Sequence, residues 1–416
     1  MIGPTDVPLT NPEASFVTMR THCVFAAFAG LGLCAYALAQ APSGDAEPDP
    51  NWQEAEAGIL ANQLQLTFAD RFVKAGESYF SPDDSKVIFQ AVELPPAGQA
   101  ADPFYAMIVA DVARDNAGRI TSIDNFKRLS PPGSANTCGW FHPTDPNVVL
   151  FASTVQPPVE QQPPGFVRDT ERYRWMFPPE MKIVRCELDT ADGAAQSIEV
   201  IYGDDSSYQA EGSLTKDARH LLFCDLTSNA GDLFIKDLTT GNVNRIVQAR
   251  GYDGGPFFSP DERRICYRSD RRGDHYLQLF IGELATNERG EIVGLSREYQ
   301  ITDNGHVNWG PFWHPNGRFL VYATSEIGHH NYEVFLLDAD PGDLEGSNGT
   351  IKYGTRRRRI THSAKADVLP AFNSDGSVMI WTSQRGADRK SQLWVADFVI
   401  ELDSPGAADV SQRSTP

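Results

Sequence analysis

Six short chain reversals punctuate this sequence, and each is followed by an apolar run of one kind. The reversals are Ser81-Pro82-Asp83-Asp84, His142-Pro143-Thr144-Asp145, Thr215-Lys216-Asp217, Ser259-Pro260-Asp261-Glu262, His314-Pro315-Asn316-Gly317 and Asn373-Ser374-Asp375-Gly376. Proline presets φ at the second turn position, and Asp, Asn and Gly tolerate left-handed or side-chain-bonded backbone, so each tetrad turns one strand into the next. The runs that follow, such as Lys86-Val87-Ile88-Phe89, Leu320-Val321-Tyr322 and Met379-Ile380-Trp381, are too short for helices. Their near-continuous apolar character suits strands covered on both faces. A third run follows in each unit, from Met107, Lys182, Leu233, Leu279, Val334 and Leu393 onward, and most of these end on an acidic residue.

A fourth, short run appears in five units: Lys127 to Ser130, Glu199 to Ile201, Asn244 to Val247, Gln300 to Thr302 and Arg359 to Thr361. The missing sixth lies ahead of the first unit, where Gln63-Leu64-Gln65-Leu66-Thr67 matches the Ile-Thr pattern of its counterparts. Spacing between reversals is roughly 45 to 70 residues, in keeping with propeller blades of roughly 40 to 50 residues plus insertions. The expected fold is therefore all-β: a six-bladed β-propeller of four-stranded antiparallel blades over residues 59–402, its last blade closed by an N-terminal strand. Such closure leaves only short, protected sheet edges. An open sandwich has no place for six four-strand units of one design.

Upstream, Arg20 and His22 precede an apolar stretch, Cys23 to Leu38, that ends in Ala37-Leu38-Ala39. A basic start, an apolar centre and small residues at the end are the layout of a secretory signal peptide. The stretch is roughly 16 residues, short of the ~20 that a spanning helix needs. Residues 1–39 are accordingly expected to be a cleaved leader, with Met19 the better start for it and an uncleaved anchor as the alternative. Residues 40–58 read as a flexible connector and 403–416 as a disordered tail. Export places the protein in the periplasm or outside the cell, with no membrane-spanning segment after cleavage.

A formal net charge of -19 excludes nucleic acid as the main partner, since phosphate backbones demand clustered Lys and Arg. The one basic run, Arg356 to Arg359, reads as a solvated loop. Cys138, Cys186, Cys224 and Cys266 show no Cys-x-x-Cys spacing and are expected to be buried free thiols rather than metal ligands.

Phe258-Ser259-Pro260-Asp261, the matching His314-Pro315-Asn316-Gly317 and the strand ending at Tyr267-Arg268-Ser269 resemble the WD-like repeats of the TolB propeller family. The resemblance covers residues 60 to 400 approximately and is shared distantly with prolyl oligopeptidase propellers. Those enzymes carry a hydrolase domain with a Gly-x-Ser-x-Gly elbow, which this sequence lacks. The resemblance implies the fold; ring closure, the signal peptide and the lack of any catalytic motif point to a non-catalytic scaffold for an envelope protein or a carbohydrate ligand, with no cofactor expected. The alternative is a metal-assisted lyase or hydrolase of acidic oligosaccharides, because some propeller lyases hold a divalent metal with His and Gln; here His306, His329 and Gln209 would be the ligands.

If the Pro-Asp turns share one face, the loops entering each first strand and those leaving each second strand share the other. That face is expected to carry the site: Glu77, Asn136, Gln209, Glu211, Tyr252, Asp253, Arg271, Arg272, His306, Asn308, Trp309, Glu326, His329, His330, Asp367 and Arg385. His142 and His314 stand where Ser81 and Ser259 stand in sister turns, so turn bonding is their expected role. An insertion from Gln156 to Glu180 adds Arg172, Tyr173, Arg174, Trp175 and Phe177, a composition suited to a lid or partner contact.

Overall fold

The computed structural model describes residues 51–399, apart from 160–164, 168–171, 175–176, 189–196, 228–230, 275, 340–353 and 355. The expected leader and the tail lie outside these residues. A short helix α1 (Trp52–Glu56) leads into β1 (Leu60–Gln65). Blade 1 is β2 (Phe72–Phe80), β3 (Lys86–Glu93), β4 (Ala106–Arg114) and β5 (Ile120–Arg128). Blade 2 opens with β6 (Asn136–Phe141) and β7 (Val148–Ser153), then extends a hairpin of β8 (Gly165–Val167) and β9 (Arg172–Arg174). Its outer half is β10 (Lys182–Glu187) and β11 (Ile198–Tyr202). Blade 3 comprises β12 (Gln209–Leu214), β13 (His220–Asp225), β14 (Asp232–Asp237) and β15 (Val243–Val247). Blade 4 comprises β16 (Asp253–Phe258), β17 (Arg264–Ser269), β18 (Gln278–Thr286) and β19 (Ile292–Gln300). Blade 5 comprises β20 (Asn308–Trp313), β21 (Phe319–Thr324), β22 (Glu333–Asp338) and β23 (Arg357–Arg359). Blade 6 holds β24 (Asp367–Phe372), β25 (Val378–Ser383) and β26 (Gln392–Phe398), and β1 is its outermost strand. These are six four-stranded antiparallel sheets, the propeller expected.

The reversals work by side-chain bonding. Ser81, Thr215 and Ser259 each donate a hydroxyl to the Asp two residues on, and each accepts the backbone N–H that opens the second strand, at 2.9–3.0 Å. Asn373 does the same with Asp375 and Val378. His142 and His314 accept N–H groups inside the turn through Nδ1 at 3.1 Å, the turn bonding expected of them, although not from the strand-opening N–H that Ser81 and Ser259 accept. Second strands β7, β21 and β25 are buried at every position.

The outer strands β11 and β15 lie where expected, whereas β1, β5, β19 and β23 differ in register. Their Leu-Thr, Leu-Ser and Ile-Thr pairs lie just past the strand ends, not within them. Their hydroxyls accept the N–H near the start of the third strand: Ser130 from Met107, Thr302 from Leu279, Thr361 from Val334 and Thr67 from Leu393, at 2.8–3.0 Å. The shared pattern that marked Leu66-Thr67 as a blade end is thus a hydrogen-bonding device. The basic run is a strand rather than a loop: Arg357 to Arg359 form β23, and Arg356, Arg357 and Arg359 bond Asp338, Glu326 and Glu333. All four cysteines of the described residues are free thiols.

Five of the six joints are stitched by one repeated backbone bond. An N–H at the opening of an inner strand, or within it at Ala75, donates to the carbonyl preceding the third strand of the blade before it. Gln209 bonds Met181, Asp253 bonds Gly231, Asn308 bonds Leu277, Asp367 bonds Tyr332 and Ala75 bonds Ser391, at 2.8–3.0 Å. At the joint of blades 1 and 2 the Asn136 side chain takes the role, donating Nδ2 to the Tyr105 carbonyl at 2.8 Å.

Closure of the ring depends on the N-terminal segment. Strand β1 pairs with β26, Leu60 opposite Phe398 and Gln65 opposite Trp394. Beneath this pairing Arg385, wholly buried, bonds Glu56 at 2.9 Å and Asp367 at 3.1 Å. Its guanidinium lies 4.6, 4.9 and 5.6 Å from the ring centroids of Trp52, Trp381 and Trp394. Glu56 also accepts the His362 N–H and the Gln63 side chain, which ties α1 to the loop between blades 5 and 6.

Two outcomes are expected. Removing one partner of a buried ion network leaves uncompensated charges, so Arg385→Met should cost about 3–5 kcal/mol in urea unfolding; a change under about 1 kcal/mol would refute the lock. Deleting Gln63 to Thr67 strips blade 6 of its outer strand and should lower the melting temperature by about 10 °C or more, even though the large unfolding entropy of a chain this size keeps the shift per kcal/mol small. Circular dichroism reads that shift, and an unchanged melt would mean that the ring is closed some other way.

Candidate functional site

Each inner strand carries a β-bulge at the same depth, and together the six bulges shape the channel. The register slips between Gly76 and Ser78, Thr137 and Trp140, Ala210 and Ser213, Gly254 and Phe257, Trp309 and Phe312, and Val368 and Ala371. Within these slips Glu77, Cys138, Glu211, Gly255, Gly310 and Leu369 all take positive φ, between 42° and 62°. A bulge adds one residue and re-aims its side chain. Here the re-aimed residues form a ring about the axis.

Two positions further along, four blades send an aromatic side chain inward. Tyr79, Trp140, Phe257 and Phe312 stack edge to face, with Tyr79–Trp140 centroids 5.3 Å apart and Phe257–Phe312 centroids 5.1 Å apart. They form a floor toward the Pro-Asp turns. Above them lies a cavity of about 320 Å³ walled by the bulge ring, by Tyr105 and Phe104 of the β3–β4 hairpin, and by Tyr208 and Trp309. Its size is at the small end of ligand pockets.

The charged groups of this wall fall into two sets. Across blades 3 and 4, Arg268 bonds Glu211 at 2.7 Å. Glu211 also accepts the Tyr252 hydroxyl at 2.6 Å and the Gly255 N–H at 2.5 Å. Absent side chains make room for this cluster: a Cβ on Gly255 would stand 2.1 Å from Arg268 Nη1, and one on Gly254 would stand 2.0 Å from the Tyr252 hydroxyl. Burial works against the Arg268 charge, but Glu211, Tyr252, Cys138 and Tyr208 together outweigh it and hold the guanidinium pKa above its usual value.

On the blade 1 side, Glu77 accepts the Thr137 hydroxyl at 3.1 Å and the Tyr79 hydroxyl at 3.3 Å, while its own N–H donates to Thr382 Oγ1 at 3.0 Å. Burial raises its pKa, opposed in part by the Cys138 thiol and Thr137. Lys74 sits 4.3 Å above the Tyr105 ring, and burial lowers its pKa. Tyr105 is pushed up to about 12, by burial first and then by Glu77.

Of the residues singled out in the sequence, the structure gathers Glu77, Asn136, Glu211 and Trp309 on the cavity wall, with Tyr252 behind Glu211. Five of the group, Asn136, Gln209, Asp253, Asn308 and Asp367, are the blade-joint residues described above, each at most 4% exposed. Arg271 and Arg385 occupy one repeat position and brace their blades alike. Arg271 bonds Asp253 at 3.2 Å and Ser269 at 3.0 Å, and Arg385 bonds Asp367 at 3.1 Å and Ser383 at 3.0 Å. Burial pushes the Asp253 carboxyl up to about 6 against the pull of Ser269 and Arg271.

The remaining members lie away from the cavity wall. Arg272 pairs with Asp274 and Asp303, and Glu326 with Arg357. His306 bonds Asn304 and Gln278 through its backbone, His329 lies against Tyr276 and Tyr332, and His330 is exposed. Among the described residues no group of three or more His, Cys, Asp or Glu side chains is placed to hold a metal ion. In the insertion, Phe177 packs on Tyr208 and Tyr252 at 4.8 and 5.3 Å and reaches the cavity. Arg172, Tyr173 and Arg174 form β9, and Trp175 lies outside the described residues.

Gln90 and Arg268 were not singled out for the site, yet both face the cavity. They hold one repeat position, opposite Gly76 and Gly254, where the other blades place Ala152, Cys224, Ala323 and Thr382. A large polar residue where sister repeats keep a small one was the available signal.

No family model matches the chain. It is 27% identical over 147 residues to an uncharacterised protein of Agrobacterium fabrum, covering 32% of this chain and 46% of that protein. It is 24% identical over 188 residues to the Tol-Pal system protein TolB of Wolinella succinogenes, covering 43% and 38% respectively. The chain thus spans less than half the length of these curated relatives. The crystal structure of TolB from Acinetobacter baumannii aligns with a TM-score of 0.47 at 16% identity, over 76% of this chain and 64% of that one. Matched in sequence by TolB proteins and built of six four-stranded blades, the chain is a TolB-like six-bladed β-propeller.

Proposed function

We propose that this propeller is an exported, non-catalytic binding scaffold whose working surface is the face on which the central cavity opens. The observation that carries the reading is the cavity itself, floored by Tyr79, Trp140 and Phe257 and walled by polar groups whose positions are fixed before any ligand arrives. Preorganised walls of this kind favour binding, since little ordering entropy remains to be lost. The Glu211–Arg268–Tyr252 cluster holds its charges in mutual bonds, a setting for recognition rather than for proton transfer.

The name of the relatives, Tol-Pal system protein TolB, supports an envelope protein as the partner. Phe177 brings the insertion to the cavity rim, so the loop and the mouth form one surface. No helix among the described residues is long and apolar enough to cross a membrane, and the apolar stretch ending at Ala39 supports export.

Cross-linking of the purified chain to envelope extract tests the surface. Tyr105→Ala and Trp309→Ala at the rim should abolish or strongly reduce the cross-linked product, while Lys216→Ala and Asn316→Ala on the turn face should not. The reverse pattern would move the working surface to the opposite face. Export is tested separately by intact-mass measurement of the periplasmic protein, expected to begin at Gln40; a full-length species confined to the membrane fraction would reject cleavage.

A further inference from the structure

Building on the binding reading, we propose that the cavity receives a small zwitterion, a free α-amino acid with an apolar or aromatic side chain, its ammonium group on Glu77 and its carboxylate on Lys74. Both residues belong to β2 and both line the cavity. The other carboxylate and the guanidinium on this wall are already joined, Glu211 to Arg268 at 2.7 Å. Glu77, by contrast, is met only by uncharged donors, and Lys74 rests on an aromatic face. Neither forms an ion pair with any described residue.

Burying a charge without a counter-charge is costly. Burial accordingly shifts Glu77 and Lys74 toward their neutral forms, upward for the carboxyl and downward for the amine. A bare amine would compensate Glu77 and leave Lys74 alone; a bare carboxylate would do the converse. One molecule with both charges relieves both.

Gln90 is the independent observation. It is 9% exposed, it faces the cavity from β3 opposite Gly76, and its Oε1 has no hydrogen-bond partner among the described residues. Buried amide oxygens are normally bonded, and this one stands in register one residue from Glu77. An ammonium group carries three donors, which the Glu77 carboxylate and Gln90 Oε1 are placed to accept. Tyr105, Phe104 and Tyr208 supply the apolar wall for a side chain, and about 320 Å³ suits a single residue rather than a polymer.

Isothermal titration of the full chain with L-phenylalanine and L-leucine, each beside its amide and its N-acetyl form, tests the assignment. The free amino acid should bind at least about tenfold more tightly than either capped form, the ratio expected for one charge-assisted bond. Lys74→Met should bring the amino acid down to the level of its amide, and Glu77→Gln to the level of the N-acetyl form. Circular dichroism of the ligand-free variants establishes that they fold; if either does not, Gln90→Leu replaces it and should reduce the preference for a free ammonium group. Equal binding of free and capped forms overturns the zwitterion and leaves a binding cavity standing. Absence of binding by every probe at millimolar concentration also overturns it, while the rim cross-linking decides the working face independently.

Discussion

Arg385 sits where the two ends of the propeller meet, and its burial sets the terms on which the ring can close. A guanidinium removed from water needs counter-charges held in fixed geometry, and these come from Glu56, ahead of the first blade, and Asp367, in the last. Three tryptophans fill the space around it and supply ring faces to the cation. Burial raises the Glu56 pKa while Arg385 pulls it down, so the network is a compromise between desolvation and pairing. Replacement of such networks by apolar residues is often neutral or stabilising, so its value lies in specificity. Only one placement of α1 satisfies Arg385, His362 and Gln63 together, and that placement fixes which residues of β1 face β26.

The same repeat that builds the frame also defines the pocket, through the positions where it is broken. Blade joints depend on the backbone at the first inner-strand position, so the repeat holds it in nearly every blade with a buried polar side chain. At the bulge position the backbone is constant in its positive φ, but the side chain is free to vary, from Gly255 and Gly310 to Glu77 and Glu211. The second-strand position behind it is small in most blades and large only at Gln90 and Arg268. Frame and site are therefore separated by depth along one strand, which lets one vary without loosening the other.

That separation explains what could be read in the sequence. The six turns and the apolar runs after them are local signals, decided by residues within a few positions of one another, and they placed the second and third strands. The first strands begin earlier than expected, so that Glu77, Asn136, Gln209, Glu211, Asp253, Asn308, Trp309 and Asp367 lie within them rather than in the loops that enter them. The outer strands β11 and β15 were placed correctly; β1, β5, β19 and β23 were placed late because Leu66-Thr67, Leu129-Ser130, Ile301-Thr302 and Ile360-Thr361 are conspicuous for a reason other than strand pairing: their hydroxyls cap the neighbouring strand. The polar residues entering the inner strands, such as Asp253, Asn308 and Asp367, looked like a site because they cluster on the loop-rich face. They are buried at the joints, a fact that depends on the neighbouring blade and leaves no local mark. Glu77 and Glu211 were identifiable by position, whereas Arg268 looked like an ordinary strand residue until the register set it opposite Gly254.

The closing joint and the open charges of the cavity share one wall. Blade 6 meets blade 1 through the bond from Ala75 to Ser391 and through Gln392, which donates to the Phe72 carbonyl at 3.1 Å. One step deeper, Thr382 of blade 6 accepts the Glu77 N–H. A Cβ on Gly76 would stand 2.9 Å from the same Thr382 hydroxyl, so the two blades meet here at backbone distance. The orientation of Glu77 therefore follows from how β25 is held, and β25 is held by β26, whose outer edge β1 covers. Anything that binds Glu77 and Lys74 in the closed ring must, by mass action, stabilise that closure over any state in which blade 6 has come away. Conversely, loss of the N-terminal lock reaches the cavity first at Glu77, while the Glu211–Arg268 pair, held between blades 3 and 4, stays tied by its own bonds.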